Sequence, residues 1–147
     1  IARALKELGY VKTPKEAFDR FIGDRSQGFV PRKMLTLEEA IKLLVDNGAL
    51  PVLAHPLMSS AKPGRRSIAG LSELLPIMKK WGLVGMEVYY GSYKTKQVNE
   101  LLSLANHHSL IPCGGSYYHA LGNPIEPKPG DAGPPKESVE RLKLLLD

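Results

Sequence analysis

Two histidines and one glutamate carry the chemical interest of this sequence. His55 follows the apolar run Leu50 to Ala54, in Leu-Ala-His-Pro, and His119 closes the run Gly114-Gly-Ser-Tyr-Tyr-His. Glu87 stands between apolar Met86 and Val88. Imidazole is the commonest metal ligand and titrates near neutrality, so two histidines converging on one place could hold a metal or move a proton. A lone histidine at a strand end is more often a hydrogen-bonded structural residue. A shared rim shifts that balance, because convergence is what a site requires. A carboxylate inside an apolar strand is costly unless partnered, so Glu87 is expected to face a cation or to act as a ligand. His107 and His108 fall in the last turn of a helical stretch, where imidazole suits the negative end of the helix dipole, and they are read as structural.

Basic residues gather in two loops, Arg32 with Lys33, then Lys62, Arg65 and Arg66 just beyond His55. Guanidinium groups match phosphate oxygens in pairs. Arg32, Lys33, Arg65 and Arg66 are therefore candidate phosphate contacts, although for any one of them a solvated loop charge is the commoner role. Gly114-Gly115 is open to a phosphate-binding reading and to a plain tight turn.

These groups must be positioned by the surrounding elements. Ile1, Ala4, Leu5 and Leu8 follow helical spacing and end at Gly9. Thr13-Pro14-Lys15-Glu16 combines a cap, a helix-starting proline and a reciprocating glutamate, which predicts a helix to Gly23. Residues 24–35 read as loop. Thr36-Leu-Glu-Glu repeats the capping logic for a helix closing at Asn47-Gly48. Three short apolar runs of strand length come next, Leu50 to Ala54, Leu83 to Tyr89 and Leu110 to Cys113. Helical stretches separate them: Ile68 to Trp81, with a break or fresh start expected at Pro76, and one capped by Thr95. A last helix is expected to turn Val139, Leu142 and Leu145 inward. Buried, non-alternating strands alternating with helices predict an α/β fold with parallel strands and right-handed crossovers. Reactive groups in such folds collect at the C-terminal strand ends, where His55 and His119 fall.

Composition narrows the function classes. The chain has 147 residues, 20 Lys+Arg against 15 Asp+Glu, and a net charge of +5. That suits an anionic ligand but not duplex DNA, because the charge is spread over loops rather than gathered on one helix face. No apolar run approaches the roughly 20 residues of a membrane helix. One cysteine, Cys113, excludes an intramolecular disulfide. No secretory signal is visible, which makes the cytoplasm the default compartment. The 14 glycines and 12 prolines are unevenly placed. Eight of them fall between Gly122 and Pro135, in the segment after His119, which is expected to line the rim.

Several segments come in the order seen in one family. They are Ile1-Ala-Arg-Ala-Leu-Lys-Glu-Leu-Gly-Tyr-Val, Glu16-Ala-Phe-Asp-Arg-Phe, Phe29-Val-Pro-Arg, Val52-Leu-Ala-His-Pro, Gly85-Met-Glu-Val-Tyr-Tyr and Gly114-Gly-Ser-x-Tyr-His. The chain resembles the PHP (polymerase and histidinol phosphatase) metallophosphoesterases, in the branch of nucleoside 3′,5′-bisphosphate phosphatases and 5′-to-3′ exoribonucleases. The resemblance implies the C-terminal half of a distorted (β/α)7 barrel with a preceding helical insertion, residues 1–35 being the insertion and 36–147 the barrel portion. It implies a cluster of divalent metal ions, Mn, Mg, Zn or Fe, at the rim. His55 matches a metal-binding histidine, and His119 matches the histidine of the family's Ser-Asp-x-His motif. Glu87 matches a recurrent glutamate and, with Ser116, is expected to line the site. A metal-held hydroxide would attack phosphorus in line.

Two departures from the family pattern matter. The N-terminal half, with its His-x-His pair, has no counterpart here, in keeping with an opening helix that lacks a cap. Tyr117 stands where the family has aspartate. A phenol with a pKa of about 10 is neutral where a carboxylate is an anion, so one metal is expected to be weakened or lost. The expected function is hydrolysis of phosphate esters of nucleotides or short RNA 5′ ends, with this chain inactive unless joined to the missing N-terminal half. The alternative is a degenerate, non-catalytic PHP-like binding or regulatory module, for which Tyr117 argues.

Overall fold

The computed structural model describes residues 1–24, 26–31, 33–58, 67–119 and 127–146. They fall into two units, Ile1–Met34 and Leu35–Asp147. In the first, α1 (Ala2–Glu7) ends where Gly9 adopts a φ of 77°. In α2 (Pro14–Ala17), the Thr13 hydroxyl accepts from the Glu16 N–H at 3.1 Å. The Glu16 carboxylate reaches back to the Lys12 N–H at 2.8 Å, one residue earlier than a capping box would. The helix expected to run on to Gly23 changes character, because Phe18–Ile22 forms a wider π turn. It closes through the Gly23 N–H to the Phe18 carbonyl at 2.8 Å. A Cβ on Gly23 would strike that carbonyl, so glycine is required there. Val11 and Ala17 are the buried apolar residues of this unit.

The second unit opens with α3 (Leu37–Asp46), which has the full reciprocal cap. The Thr36 hydroxyl accepts from the Glu39 N–H at 3.2 Å, and Glu39 accepts from the Thr36 N–H at 2.7 Å. Strand β1 (Val52–Leu53), α4 (Ile68–Trp81), β2 (Gly85–Tyr90), α5 (Thr95–His107) and β3 (Ile111–Gly115) come after it, then α6 (Lys136–Lys143). The strands form a parallel sheet in the order β1-β2-β3, with Val52 opposite Gly85 and Gly85 opposite Ile111. The α/β class and the parallel pairing are as expected. Leu75 and Met78 of α4 and Leu101 of α5 pack with Met86, Val88 and Leu110 into one core. No helix among the described residues is long and apolar enough to cross a membrane.

Four expectations fail locally. Helix α4 runs unbroken through Pro76. The proline lies on the exposed side, where water can take the carbonyl left without its N–H, while Leu71, Leu75 and Met78 hold the opposite face in the core. Thr95 is the first residue of α5 rather than its cap. The chain enters through Lys94, whose N–H donates to Gln97 Oε1 at 2.9 Å. Helix α6 packs on β3 and buries small Ser138, leaving Val139 44% and Leu145 51% exposed. The Gly114-Gly115 pair belongs to β3 and makes no turn. Next to an irregularity between Glu87 and Tyr89, a Cβ on Gly114 would collide with the Tyr89 carbonyl, so close strand approach explains that glycine.

Candidate functional site

Parallel pairing puts the ends of all three strands on one rim, and the chain leaves β1 there through Ala54 into His55. His55 has a φ of 27°, a region that non-glycine residues rarely enter. Its N–H donates to Glu87 Oε2 at 2.6 Å. Two residues on, the Leu57 N–H donates to the hydroxyl of Tyr93 at 2.9 Å. The His55 Nδ1 is buried and has no hydrogen-bond partner among the described residues.

An aromatic cluster faces this turn. The Tyr117 ring stands edge-on to His55 at 5.3 Å, to Tyr90 at 5.1 Å and to His119 at 4.3 Å between centroids. Tyr93 packs on Tyr90 at 4.8 Å. Tyr117 is 42% exposed with a φ of 61°, and its carbonyl lies 2.7 Å from His119 Nδ1. Thus the structure brings His55, Glu87 and Tyr117 together, and Tyr117 links them to His119. Ser116 sits half-buried just past β3, with its carbonyl close to Gly91 at the end of β2. Pro127, the first described residue of the later Gly/Pro segment, also approaches Gly91.

The basic candidates fare differently. Arg32, Lys62, Arg65 and Arg66 lie outside the described residues, and Lys33 is exposed in the Ile1–Met34 unit. Glu87, expected to face a cation or to act as a ligand, takes the His55 backbone N–H through Oε2, which gives its half-buried carboxylate one partner. Tyr93 escaped the sequence reading, since nothing local marks a tyrosine three residues past a strand as the acceptor for a turn far upstream.

Burial, opposed by the Leu57 N–H and reinforced by the Glu87 charge, pushes the Tyr93 phenol above its ordinary pKa. Burial and then the same carboxylate push the Cys113 thiol up, so it is a poor nucleophile. At the opposite end of the sheet, His107 ends α5 and the His108 backbone carbonyl accepts from Lys79 Nζ at 2.6 Å.

Among the described residues, no three His, Cys, Asp or Glu side chains come together as a metal site would require. Glu87 Oε2 is engaged by the His55 N–H, and a tyrosine ring at position 117 stands edge-on to both histidines. These residues therefore do not by themselves fit the metal cluster that the resemblance implies, although the partnerless His55 Nδ1 is the kind of atom such a cluster would use. Beside β1 lies an apolar cavity of about 640 Å³, lined by Leu37, Leu53, Pro56, Leu71, Leu74 and Ile77 among others.

No family model matches the chain. It is 30% identical over 121 residues to the 3′,5′-nucleoside bisphosphate phosphatase of Chromobacterium violaceum, covering 82% of this chain and 41% of that protein. It is 28% identical over 120 residues to the 5′-3′ exoribonuclease Rnm of Escherichia coli, covering 80% of this chain and 39% of the relative. The chain thus spans about two fifths of the curated relatives it matches. Among solved structures it resembles a Bifidobacterium adolescentis protein described provisionally as a metal-dependent phosphoesterase, with TM-score 0.73 and 28% identity over 99% of this chain and 49% of that one. It also resembles an amidohydrolase from Chromobacterium violaceum, with TM-score 0.61 and 26% identity over 85% of this chain and 42% of that one. These relatives bear out the resemblance read from the motifs: over about four fifths of its length the chain is similar to part of a nucleoside bisphosphate phosphatase and of an exoribonuclease.

Proposed function

We propose, from this homology, that the chain forms one wall of a metal-dependent phosphoesterase site that cleaves phosphate esters of nucleotides or short RNA 5′ ends in the cytoplasm. The three-stranded sheet would be the C-terminal part of a (β/α)7 barrel, and residues 1–35 the helical insertion. The observation that carries the reading is the convergence of His55 and His119 about Tyr117 on one rim, with the His55 Nδ1 buried and partnerless among the described residues. Divalent metal (Mn, Mg, Zn or Fe) would neutralise phosphate charge and lower the pKa of bound water. His55 and His119 offer imidazole nitrogens, Ser116 and Glu87 line the floor, and Arg32, Lys33, Arg65 and Arg66 are the phosphate contacts of this reading. The remaining ligands would come from chain that the relatives carry outside the matched region, so residues 1–147 alone should be inactive.

The test uses the complete reading frame that encodes this chain, assayed with manganese on a nucleoside 3′,5′-bisphosphate and on a short 5′-phosphorylated RNA. Hydrolysis of either is expected, with kcat/KM falling at least about 100-fold in His55→Ala and in His119→Ala. A complete protein that cleaves neither substrate, or variants that keep full rate, would overturn the reading.

One observation favours a second reading. The Tyr117 ring stands edge-on to both imidazoles, at the position where the family pattern has a carboxylate, which suits a module that binds nucleotides or a partner without turning over. Tyr117→Asp in the complete protein separates the two readings. A gain of manganese-dependent hydrolysis marks a damaged enzyme, and no change marks a binding module.

A further inference from the structure

We infer that Glu87 and Tyr93 act as a two-point clamp that fixes the turn carrying His55, and that both are positioning residues of the rim rather than ligands. The inference rests on the reading of His55 as a site residue. Strand β1 is only two residues long, so the sheet does little to hold the turn beyond it. His55 nevertheless keeps a φ of 27°, which persists only where surroundings over-determine it. The surroundings are two acceptors from β2 and the turn after it. Glu87 Oε2 takes the His55 N–H at 2.6 Å and the Tyr93 hydroxyl takes the Leu57 N–H at 2.9 Å. Between these two N–H groups lies buried Pro56, whose ring fixes its own φ near about −65°. The turn also closes on itself, the Met58 N–H donating to the His55 carbonyl at 2.9 Å. With both N–H groups and the intervening φ set, the Cα–Cβ direction of His55 is set as well. The imidazole is then held with Nδ1 inward and its ring against Tyr117.

The chemistry of the two acceptors suits the task. A carboxylate accepting from a backbone N–H makes a charge-assisted bond about twice as strong as a neutral one. It also relieves the cost of a half-buried charge in an apolar strand. Glutamine retains a carbonyl oxygen at the same reach, whereas alanine does not, so the clamp and a ligand role predict different orders of variants.

The experiment labels histidine in the 147-residue chain and records imidazole carbon-bound proton resonances by NMR. Glu87→Ala and Tyr93→Phe are expected to move the His55 signals while those of His107 and His108, at the far end of the sheet, stay in place. Glu87→Gln is expected to restore the His55 signals to near their original positions. In the complete protein, Tyr93→Phe should lower kcat by about 10- to 100-fold with little change in KM, and Glu87→Gln should lie closer to wild type than Glu87→Ala. The clamp is refuted if the His55 signals ignore Tyr93→Phe, or if Glu87→Gln is as damaging as Glu87→Ala. Tyr93→Phe, which removes one oxygen, decides the matter if Glu87→Ala does not fold. Failure of the phosphoesterase reading is seen separately, as a complete protein without hydrolysis whose His55 signals still respond to the clamp variants.

Discussion

The surroundings of His108 disfavour its charged form. Its Nε2 is buried without a partner among the described residues, and the His107 ring stands edge-on at 4.8 Å. Burial first, then the neighbouring His107 and Lys79 charges, keep its pKa below the ordinary histidine value. The unfolded chain therefore binds a proton here before the folded one does as pH falls. The stability associated with neutral His108 is present above the ordinary histidine range and is lost as pH falls through it. Urea unfolding at about pH 7.5 and about pH 5.5 is expected to show lower stability at the acid end, and His108→Gln should flatten that slope. The Glu16 and Glu39 carboxyls are held low by backbone N–H bonds, so their contributions change only at more acid pH. On the rim, identity and contact part company. That His55 and His119 belong together is read from their places at strand ends, whereas the backbone partner of Glu87 lies 32 residues away.

Helix boundaries are the most local feature of the fold, and they track the sequence closely. The Thr36–Glu39 box, the Ser67 cap on Gly70 and the left-handed Gly82 after α4 each depend on neighbours a few residues apart. Thr36→Ala should cost about 1 kcal/mol of folding free energy by chemical denaturation. Helix α4 resists the same logic at Pro76, since burial of Leu71, Leu75 and Met78 outweighs one missing hydrogen bond. Strands are less local. Strand β1 shrinks to Val52–Leu53, and β3 extends through Gly114-Gly115 because its pairing with β2 continues to Tyr90. Gly114→Ala pushes a methyl group into the Tyr89 carbonyl, and about 1–3 kcal/mol of destabilisation is expected in the same assay. A wild-type midpoint for that variant would show that the strands can part there freely.

Among the described residues, the core cluster draws its buried members from residues 41–110, within the Leu35–Asp147 unit. A chain starting at Leu35 is therefore expected to keep its cooperative thermal transition within a few degrees. A peptide of residues 1–34, with buried Val11 and Ala17 as its apolar core, should show little ordered structure by circular dichroism. Loss of the transition on removing residues 1–34 would count against this division. By itself the amino-acid sequence determined the order of helices and strands, the parallel α/β class and the pair of strand-end histidines. Each of these is written in caps, in apolar periodicity or in the succession of motifs, all short-range signals. Only the tertiary structure decided that Glu87 serves a backbone N–H, that Tyr93 holds the same turn and that the Tyr117 ring stands against His55. The two hydrogen bonds join residues 32 and 36 positions apart, and the ring contact spans a longer stretch still. They exist because sheet register and strand irregularity bring particular atoms within hydrogen-bonding or ring-contact distance, which no local pattern encodes.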